Sequence, residues 1–117
     1  MVTVLTVVDD KAHYMPGAGN FIIKLVADKE SRRLLGVQAL GKGEVDKVVD
    51  ICVAAISLKA KVDDLADMDF AYAPPFSTAI HPLAHTVNVL MNKMDGGLES
   101  FTPAEFAEGK AEGYRII

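Results

Sequence analysis

Reactive side chains are concentrated between Asp69 and Met94, in the segment DFAYAPPFSTAIHPLAHTVNVLMNKM. Within it His81 and His85 lie four residues apart, the spacing of a metal-binding pair on one helix face. No third ligand and no general base accompany them, so a pair of exposed or hydrogen-bonded histidines is the simpler interpretation. Ser77, with His81 and Asp69, supplies the residue types for acyl transfer, but the glycines of a nucleophile elbow are missing. These residues alone predict neither a self-contained active site nor a metal site.

Three further candidates for chemistry are weaker. Cys52, the single cysteine, lies in an apolar helical pattern and is expected to be a small buried hydrophobe, not a redox nucleophile. The paired carboxylates Asp63-Asp64 lie in an acidic surface turn, where solvation is the usual outcome. The Gly-x-Gly turn at 41–43 imitates a dinucleotide fingerprint, but the third glycine is absent and the acidic residues that follow would repel a phosphate.

Two conformationally restricted segments carry aromatic residues that could form a binding surface. Pro74 and Pro75 fix their own φ and favour an extended residue before each, so Tyr72 and Phe76 are presented from a rigid arm. A rigid arm loses little freedom on association and suits a binding surface, although a loop that only ends one element and starts the next has the same pattern. Tyr14 lies in a loop stiffened by Pro16-Gly17, where it is either a lid over a neighbouring core or a ligand contact.

Composition narrows the class of protein. The chain has 117 residues, half of them hydrophobic, which suits one compact domain. Its net charge is -4 with no cluster of Lys and Arg, which argues against nucleic acid as a partner. The apolar runs are too short for a membrane span, and the first residues lack the layout of a signal peptide, so a soluble cytoplasmic protein is expected.

The pattern of apolar residues predicts strands first and helices later. A β-branched strand at 1–8, covered on both faces or on most of its length, is followed by a hairpin over 20–40 with its turn at 29–32. Helices are expected over 45–56, in a short turn at 62–67 and from Pro82 onward.

The last part of the sequence predicts an interface helix and then a strand at which the given sequence stops. The helix from Pro82 has a broad apolar stripe that suits packing on a sheet or on another copy of the chain: Leu83, Val87, Leu90 and Met94. Thr102 to Glu105 has the pattern of a capping box, which starts a helix expected to continue through Ala111. Residues 113–117 have the pattern of an opening strand, so the chain is expected to be part of a longer protein.

Three motifs together resemble a known family. They are Tyr72-Ala73-Pro74-Pro75-Phe76-Ser77 followed by Ala79 and Pro82, the segment LLGVQALGKGEVDKVVD, and Tyr14-Met15-Pro16-Gly17-Ala18. In this order they resemble the C-terminal dimerisation domain of the FAD-dependent pyridine nucleotide-disulfide oxidoreductases, in the coenzyme A disulfide reductase and NADH oxidase branch. The resemblance places this domain at 1–95, and the remainder, 96–117, resembles a linker with the start of a rhodanese domain.

The resemblance implies an α+β fold, with an antiparallel sheet of about three to five strands backed by two main helices. It implies a homodimer whose FAD and NAD(P)H lie in preceding domains outside this chain, and no catalysis by the isolated chain. Relatives reduce a coenzyme A disulfide, a persulfide or polysulfide, or oxygen or peroxide.

The resemblance also implies site residues. Tyr14 and Tyr72 fall at the positions of two tyrosines that reach across the dimer and line the partner subunit's active site, where a phenol donates a hydrogen bond to a thiolate or peroxide. Pro74, Pro75 and Phe76 would then lie near the partner's flavin. His81 is a candidate for proton transfer, although branch members with this motif commonly carry an acidic residue there.

Two functions from different classes follow. The first is the dimerisation domain of a flavoprotein reductase or NADH oxidase, which should expose the stripe from Leu83 to Met94 and dimerise through it. The alternative is a stand-alone small binding module for a nucleotide or thiol ligand, which should bury that stripe and remain monomeric.

Overall fold

Two layers, an antiparallel sheet and a set of helices, make up the computed structural model, which describes residues 1–115. The three strands pair in the order β1-β2-β3 and are β1 (Val2–Asp9), β2 (Asn20–Ala27) and β3 (Leu34–Gly41). The helices are α1 (Val45–Ser57), α2 (Val62–Ala66), α3 (Pro82–Met94) and α4 (Pro103–Ala107). This α+β architecture is the predicted one, and the expected hairpin is β2 with β3.

The core lies between one face of the sheet and the two long helices. Alternate residues of β2, among them Ile23 and Leu25, point inward and are fully buried. Helix α1 packs on β3, and α3 packs on β1 and β2. A partly buried polar contact joins α3 to the sheet, because the hydroxyl oxygens of Thr6 and Thr86 lie 2.7 Å apart.

The apolar stripe of α3, which was predicted to contact a second copy of the chain, is buried within the chain. Leu83, Val87 and Leu90 are fully buried within the chain, and Met94 is half-buried against the same core. The predicted interface at these residues is therefore wrong. The stripe packs on the sheet, which was the other possibility that its width allowed.

The outer face of the sheet is open, contrary to the expectation that β1 is covered on both faces. In the described residues, one row of apolar side chains crosses it, since Val7 pairs with Ile22 and Ile22 pairs with Leu40. All three are exposed, and so is Leu5 on the same face. The continuous apolar run of β1 thus belongs to a strand with one face in the core and one uncovered within this chain.

Beyond α3 the chain forms one short helix, α4. Thr102 and Glu105 form the predicted capping box, in which each side chain accepts a hydrogen bond from the other's backbone N–H. Helix α4 ends at Ala107, four residues short of the expected Ala111. Residues 113–115 form no strand, and the rest of the expected strand, 116–117, lies outside the described residues. No helix within residues 1–115 has the length and apolar character needed to cross a bilayer.

Candidate functional site

The end of the sheet where three strand termini meet carries the two tyrosine segments. In the register, Val8 of β1 pairs with Phe21 of β2, which pairs with Gly41 of β3. The end of β1, the start of β2 and the end of β3 are therefore neighbours. The loop with Tyr14 leaves from this end, and the rigid arm returns to it.

A small cavity marks the place where the loop and the arm meet. It has a volume of about 30 Å³ and is lined by residues from the loop, the sheet and the arm: Asp10, Lys11, Phe21, Gly43, Glu44, Pro75 and Phe76. The fold thus brings together the Tyr14 loop and the arm that carries Tyr72, which are about 60 residues apart in sequence. Proximity of these two segments is what the resemblance implied.

Tyr14 projects from a loop that is closed at its base. The backbone N–H of Asp10 donates to the carbonyl of Gly19, 2.9 Å away, and two turns within the loop are closed by Met15 and Ala18. Gly17 has φ 75°, a conformation that favours glycine. The Tyr14 ring is 67% exposed and meets His13 edge to face, with centroids 5.4 Å apart. The loop therefore holds Tyr14 outward and not as a lid on the core.

The arm presents Tyr72 and Phe76 in the same outward manner. The N–H groups of Phe76 and Ser77 both donate to the carbonyl of Ala73, at 3.1 and 3.0 Å, and so fold the proline pair into a turn. Tyr72 is 51% exposed, and Phe76 is exposed with the Lys47 ammonium 5.5 Å from its ring centroid. In the described residues neither Tyr14 nor Tyr72 uses its hydroxyl within the chain. Both phenols are available to an outside acceptor.

His81 serves α3 as its N-cap. Its imidazole Nδ1 accepts a hydrogen bond from the N–H of Leu83 at 3.1 Å, and the ring packs on Phe70 with centroids 4.6 Å apart. Burial lowers the pKa of His81, and the positive charge of Lys47 lowers it further. The neutral ring with its proton on Nε2 is the form that this geometry selects.

The other predicted constellations do not assemble. His85 is exposed while His81 is buried, and within residues 1–115 no three His, Cys, Asp or Glu residues gather as a metal site would require. The Ser77 hydroxyl donates to the Thr78 carbonyl and not to His81. Cys52 is buried, and burial raises the pKa of its thiol to about 11, so it remains a protonated thiol near neutral pH, as expected.

Sequence reasoning missed Asp10. Its side chain is buried and accepts a hydrogen bond from the N–H of Gly19 at 2.9 Å. The available signal was an Asp directly after a strand, since such residues often accept hydrogen bonds from nearby backbone. That signal gives no indication of burial.

Comparison with known proteins decides the family. Residues 2–84 match the family described as the pyridine nucleotide-disulphide oxidoreductase dimerisation domain. The chain belongs to this family. Its sheet, its α1 and the Tyr72 arm all fall inside the matched range. The dimerisation-domain assignment made from the three motifs is confirmed.

Curated relatives of this dimerisation domain include proteins named for the reduction of sulfur compounds. It is 41% identical over 80 residues to the NAD(P)H sulfur oxidoreductase (CoA-dependent) of Pyrococcus furiosus, covering 68% of this chain and 18% of that protein. It is 39% identical over 71 residues to the coenzyme A disulfide reductase of Staphylococcus epidermidis, covering 61% of this chain and 16% of that protein. The dimerisation domain thus spans less than a fifth of the length of these relatives.

Solved structures agree with the fold. The NAD-dependent persulfide reductase from A. fulgidus aligns with a TM-score of 0.81 at 43% identity, over 86% of this chain and 18% of that chain. Reduced Bacillus anthracis CoADR-RHD aligns with a TM-score of 0.88 at 32% identity, over 96% of this chain and 20% of that chain. The water-forming NADH oxidase from Lactobacillus brevis, at 21% identity and a TM-score of 0.77, shares the fold.

Proposed function

We propose that this dimerisation domain belongs to a flavoprotein that uses NAD(P)H to reduce a sulfur substrate such as coenzyme A disulfide, a persulfide or a polysulfide. The FAD and NAD(P)H sites lie in preceding domains of that protein, and the domain completes the active site of the partner subunit. The sulfur-reducing relatives at about 40% identity support this substrate class over oxygen.

The observation that carries the proposal is the pair of exposed tyrosines at one end of the sheet. Tyr14 and Tyr72 extend from two stiffened segments that meet at a shared cavity, and their hydroxyls have no partner in the described chain. A phenol O–H that points outward from a rigid base can donate to a thiolate with little loss of freedom. Reduction of a disulfide releases a thiolate, which such a donor stabilises.

The experiment that tests this function is substitution of each tyrosine by phenylalanine in the full-length flavoprotein. Loss of a hydrogen bond to a charged group costs about 1.5–3 kcal/mol, so kcat/KM for the sulfur substrate should fall by about 10- to 100-fold. Tyr114→Phe is the matched control, because the Tyr114 hydroxyl donates to Glu99 in the tail at 2.7 Å and lies far from the strand ends in sequence. Equal activity of Tyr14→Phe, Tyr72→Phe and the control would refute the assignment.

His81 and the proline arm have different proposed roles. Since Nδ1 of His81 is engaged as the cap of α3, we assign the residue to shaping the arm and not to proton transfer. His81→Gln in the full-length enzyme should therefore leave the pH profile of kcat unchanged, and loss of one limb of that profile would restore proton transfer. Pro74, Pro75 and Phe76 are proposed to lie near the partner's flavin, as the family resemblance implies.

The dimer contact is proposed to lie on the outer face of α1, in place of the buried stripe of α3. Leu58 at the end of α1 is 82% exposed, and Met68, which lines the same groove, is exposed as well. A shallow groove of about 420 Å³ adjoins them, lined mainly by apolar residues: Ile51, Ala54, Ala55, Leu58, Ala60, Met68, Asp69 and Phe70. A protruding Leu next to a groove floored by alanine is self-complementary under two-fold symmetry.

Sedimentation of the 117-residue chain over a range of concentrations tests this contact. Leu58→Asp should dissociate the dimer, because a carboxylate would be buried in the apolar groove. Leu40→Asp is the matched control, since Leu40 is 67% exposed on the outer face of the sheet. Dissociation by Leu40→Asp and not by Leu58→Asp would place the contact on the sheet.

A rhodanese domain after residue 96 remains a proposal. Its support is that the alignment with Bacillus anthracis CoADR-RHD covers 96% of this chain, more than the 86% covered by the A. fulgidus persulfide reductase. We take RHD to denote a rhodanese domain. Limited proteolysis of the full-length protein should release a separate domain with thiosulfate sulfurtransferase activity, and its absence would refute the proposal.

One observation favours the alternative function, a stand-alone binding module. The α3 stripe is buried, as that alternative required. A chain that stays monomeric at every concentration and binds a thiol or nucleotide through Tyr14 and Tyr72 would establish it. The exposed apolar surfaces on α1 and on the sheet favour the dimerisation domain instead.

A further inference from the structure

The carboxylate of Asp10 is buried with only one of its oxygens satisfied by the protein. Asp10 is 2% exposed, and its Oδ1 accepts from the N–H of Gly19 at 2.9 Å. The backbone N–H of Asp10 donates to the carbonyl of Gly19 at the same distance, so this pair closes the loop that carries Tyr14. The second oxygen, Oδ2, is fully buried, and no donor from the described residues reaches it.

The surroundings of Oδ2 leave room for one small group. Asp10 and Gly43 line the same cavity of about 30 Å³, which Pro75 and Phe76 of the arm close on another side. A Cβ atom built on Gly43 would lie 2.9 Å from Oδ2 and 2.9 Å from Cε1 of Phe21. One water molecule needs about 10–15 Å³ of such space, so the cavity has room for a water beside Asp10.

A buried carboxylate oxygen without a donor is strongly unfavourable, so the site requires one. Lone buried waters in proteins satisfy such atoms and typically make about three hydrogen bonds. Lys11, Gly43 and Glu44 line the same cavity as Asp10 and carry polar groups that a water can hydrogen-bond. A water in this cavity would contact the loop, the turn after β3 and the arm at once.

We propose that the cavity holds one structural water, which donates to Oδ2 of Asp10, and that Asp10 thereby positions the Tyr14 loop against the arm that carries Tyr72. Asp10 acts through Gly19 on one side and through the water on the other, and it touches no substrate. The water site and the fixing of the loop follow from this chain alone, whereas their effect on turnover rests on the proposed function.

Gly43→Ala fills the space beside Oδ2, where the added methyl group must also shift the side chains of Asp10 and Phe21, each 2.9 Å from it. Its methyl group would enter the cavity and displace the water, and Gly43 does not have a positive φ that would strain alanine. Gly36→Ala is the matched control, because its nearest atom is the Val26 Cβ at 3.8 Å, an ordinary contact. In the 117-residue chain, amide hydrogen exchange of Gly19 should become about 10-fold faster in Gly43→Ala and remain unchanged in Gly36→Ala.

Substitutions at Asp10 separate positioning from general stability. Asp10→Asn keeps an acceptor for Gly19 and a group that can hydrogen-bond the water, so Gly19 exchange should stay slow. Asp10→Ala removes both and should accelerate Gly19 exchange by about 10-fold or more, while the core amides of Ile23 and Leu25 stay protected. Equal acceleration at the core amides would show that Asp10 only stabilises the fold and would overturn the positioning role.

The water can be observed in a crystal structure, and the effect of Asp10 on turnover can be measured in the full-length flavoprotein. A crystal structure of the chain should show one ordered water within hydrogen-bond distance of Oδ2, and an empty cavity or a protein donor on Oδ2 would overturn the proposal. In the full-length flavoprotein, Asp10→Ala should lower kcat/KM as Tyr14→Phe does. If Asp10→Ala loosens the loop but leaves turnover unchanged, the positioning stands and the catalytic assignment of Tyr14 falls.

Discussion

Arg32 fixes the hairpin turn to α2 and to the end of α3, and its removal gives a stability change that can be worked out in advance. Its Nε and Nη2 contact the two carboxylate oxygens of Asp63 at 2.7 and 2.9 Å, and its Nη1 contacts Asp95 at 2.7 Å. Asp63 lies in α2 and Asp95 caps the end of α3. One side chain therefore joins three segments.

The expected magnitude is modest because the carboxylates are about half exposed. Exposed ion pairs contribute about 0.2–1 kcal/mol each, with bidentate pairs in networks at the upper end, so Arg32→Ala should cost about 1–2 kcal/mol. Arg32 also has φ 60°, a left-handed conformation. Arg32→Gly loses the same pairs but relieves that backbone, so it should be less destabilising than Arg32→Ala by about 1 kcal/mol.

The assay is urea unfolding of the 117-residue chain at one fixed protein concentration, so that association is the same in every sample. The hydrogen bonds from Arg32 lower the pKa of Asp63, so the contribution of the pair is present above the unfolded pKa of about 3.9 and is lost as pH falls through the lower folded value. The difference in the free energy of unfolding between wild type and Arg32→Ala should therefore decrease as pH falls below about 3.9. Equal stability of wild type, Arg32→Ala and Arg32→Gly at pH 7 would refute the account of this network.

Other parts of the chain give further expectations. Burial lowers the pKa of His81, so as pH falls the imidazole gains a proton in the unfolded chain before it does so in the folded chain. The free energy of unfolding should therefore decrease as pH drops below about 6.5. His81→Asn, which can still cap α3, should abolish this pH dependence in urea titrations. His81→Ala at pH 8 should cost about 1 kcal/mol through loss of the cap, and an unchanged midpoint would contradict the hydrogen bond to Leu83. The buried Cys52 thiol should react with a thiol reagent only in urea, and rapid labelling of the native chain would contradict its burial.

Local patterns were sufficient for the elements themselves. The alternation in β2 and β3 predicts the hairpin, Pro82 marks the start of α3, and Thr102 with Glu105 marks the start of α4. Each of these signals depends on residues within a few positions of one another. They were therefore available without knowledge of the tertiary fold.

Local patterns did not predict the tertiary contacts between residues that are distant in sequence. The stripe of α3 is equally apolar whether a sheet or a second copy covers it, and only the position of β1 decides that Leu83 and Val87 face the core. The burial of Asp10 depends on the meeting of three strand ends and the proline arm, which are remote in sequence. The resemblance to the family placed Tyr14 and Tyr72 together, a proximity that periodicity alone did not indicate.

The measurement that tests the central proposal most directly is complementation between two inactive full-length subunits. One subunit carries Tyr14→Phe and Tyr72→Phe, and the other keeps both tyrosines but lacks the flavin-domain cysteine that the family resemblance implies as the carrier of the redox chemistry. If the tyrosines complete the partner's site, the purified heterodimer has one intact site of two and should show roughly half of the wild-type activity. A heterodimer as inactive as either parent homodimer would show that the tyrosines do not act across the interface, and would contradict the proposal.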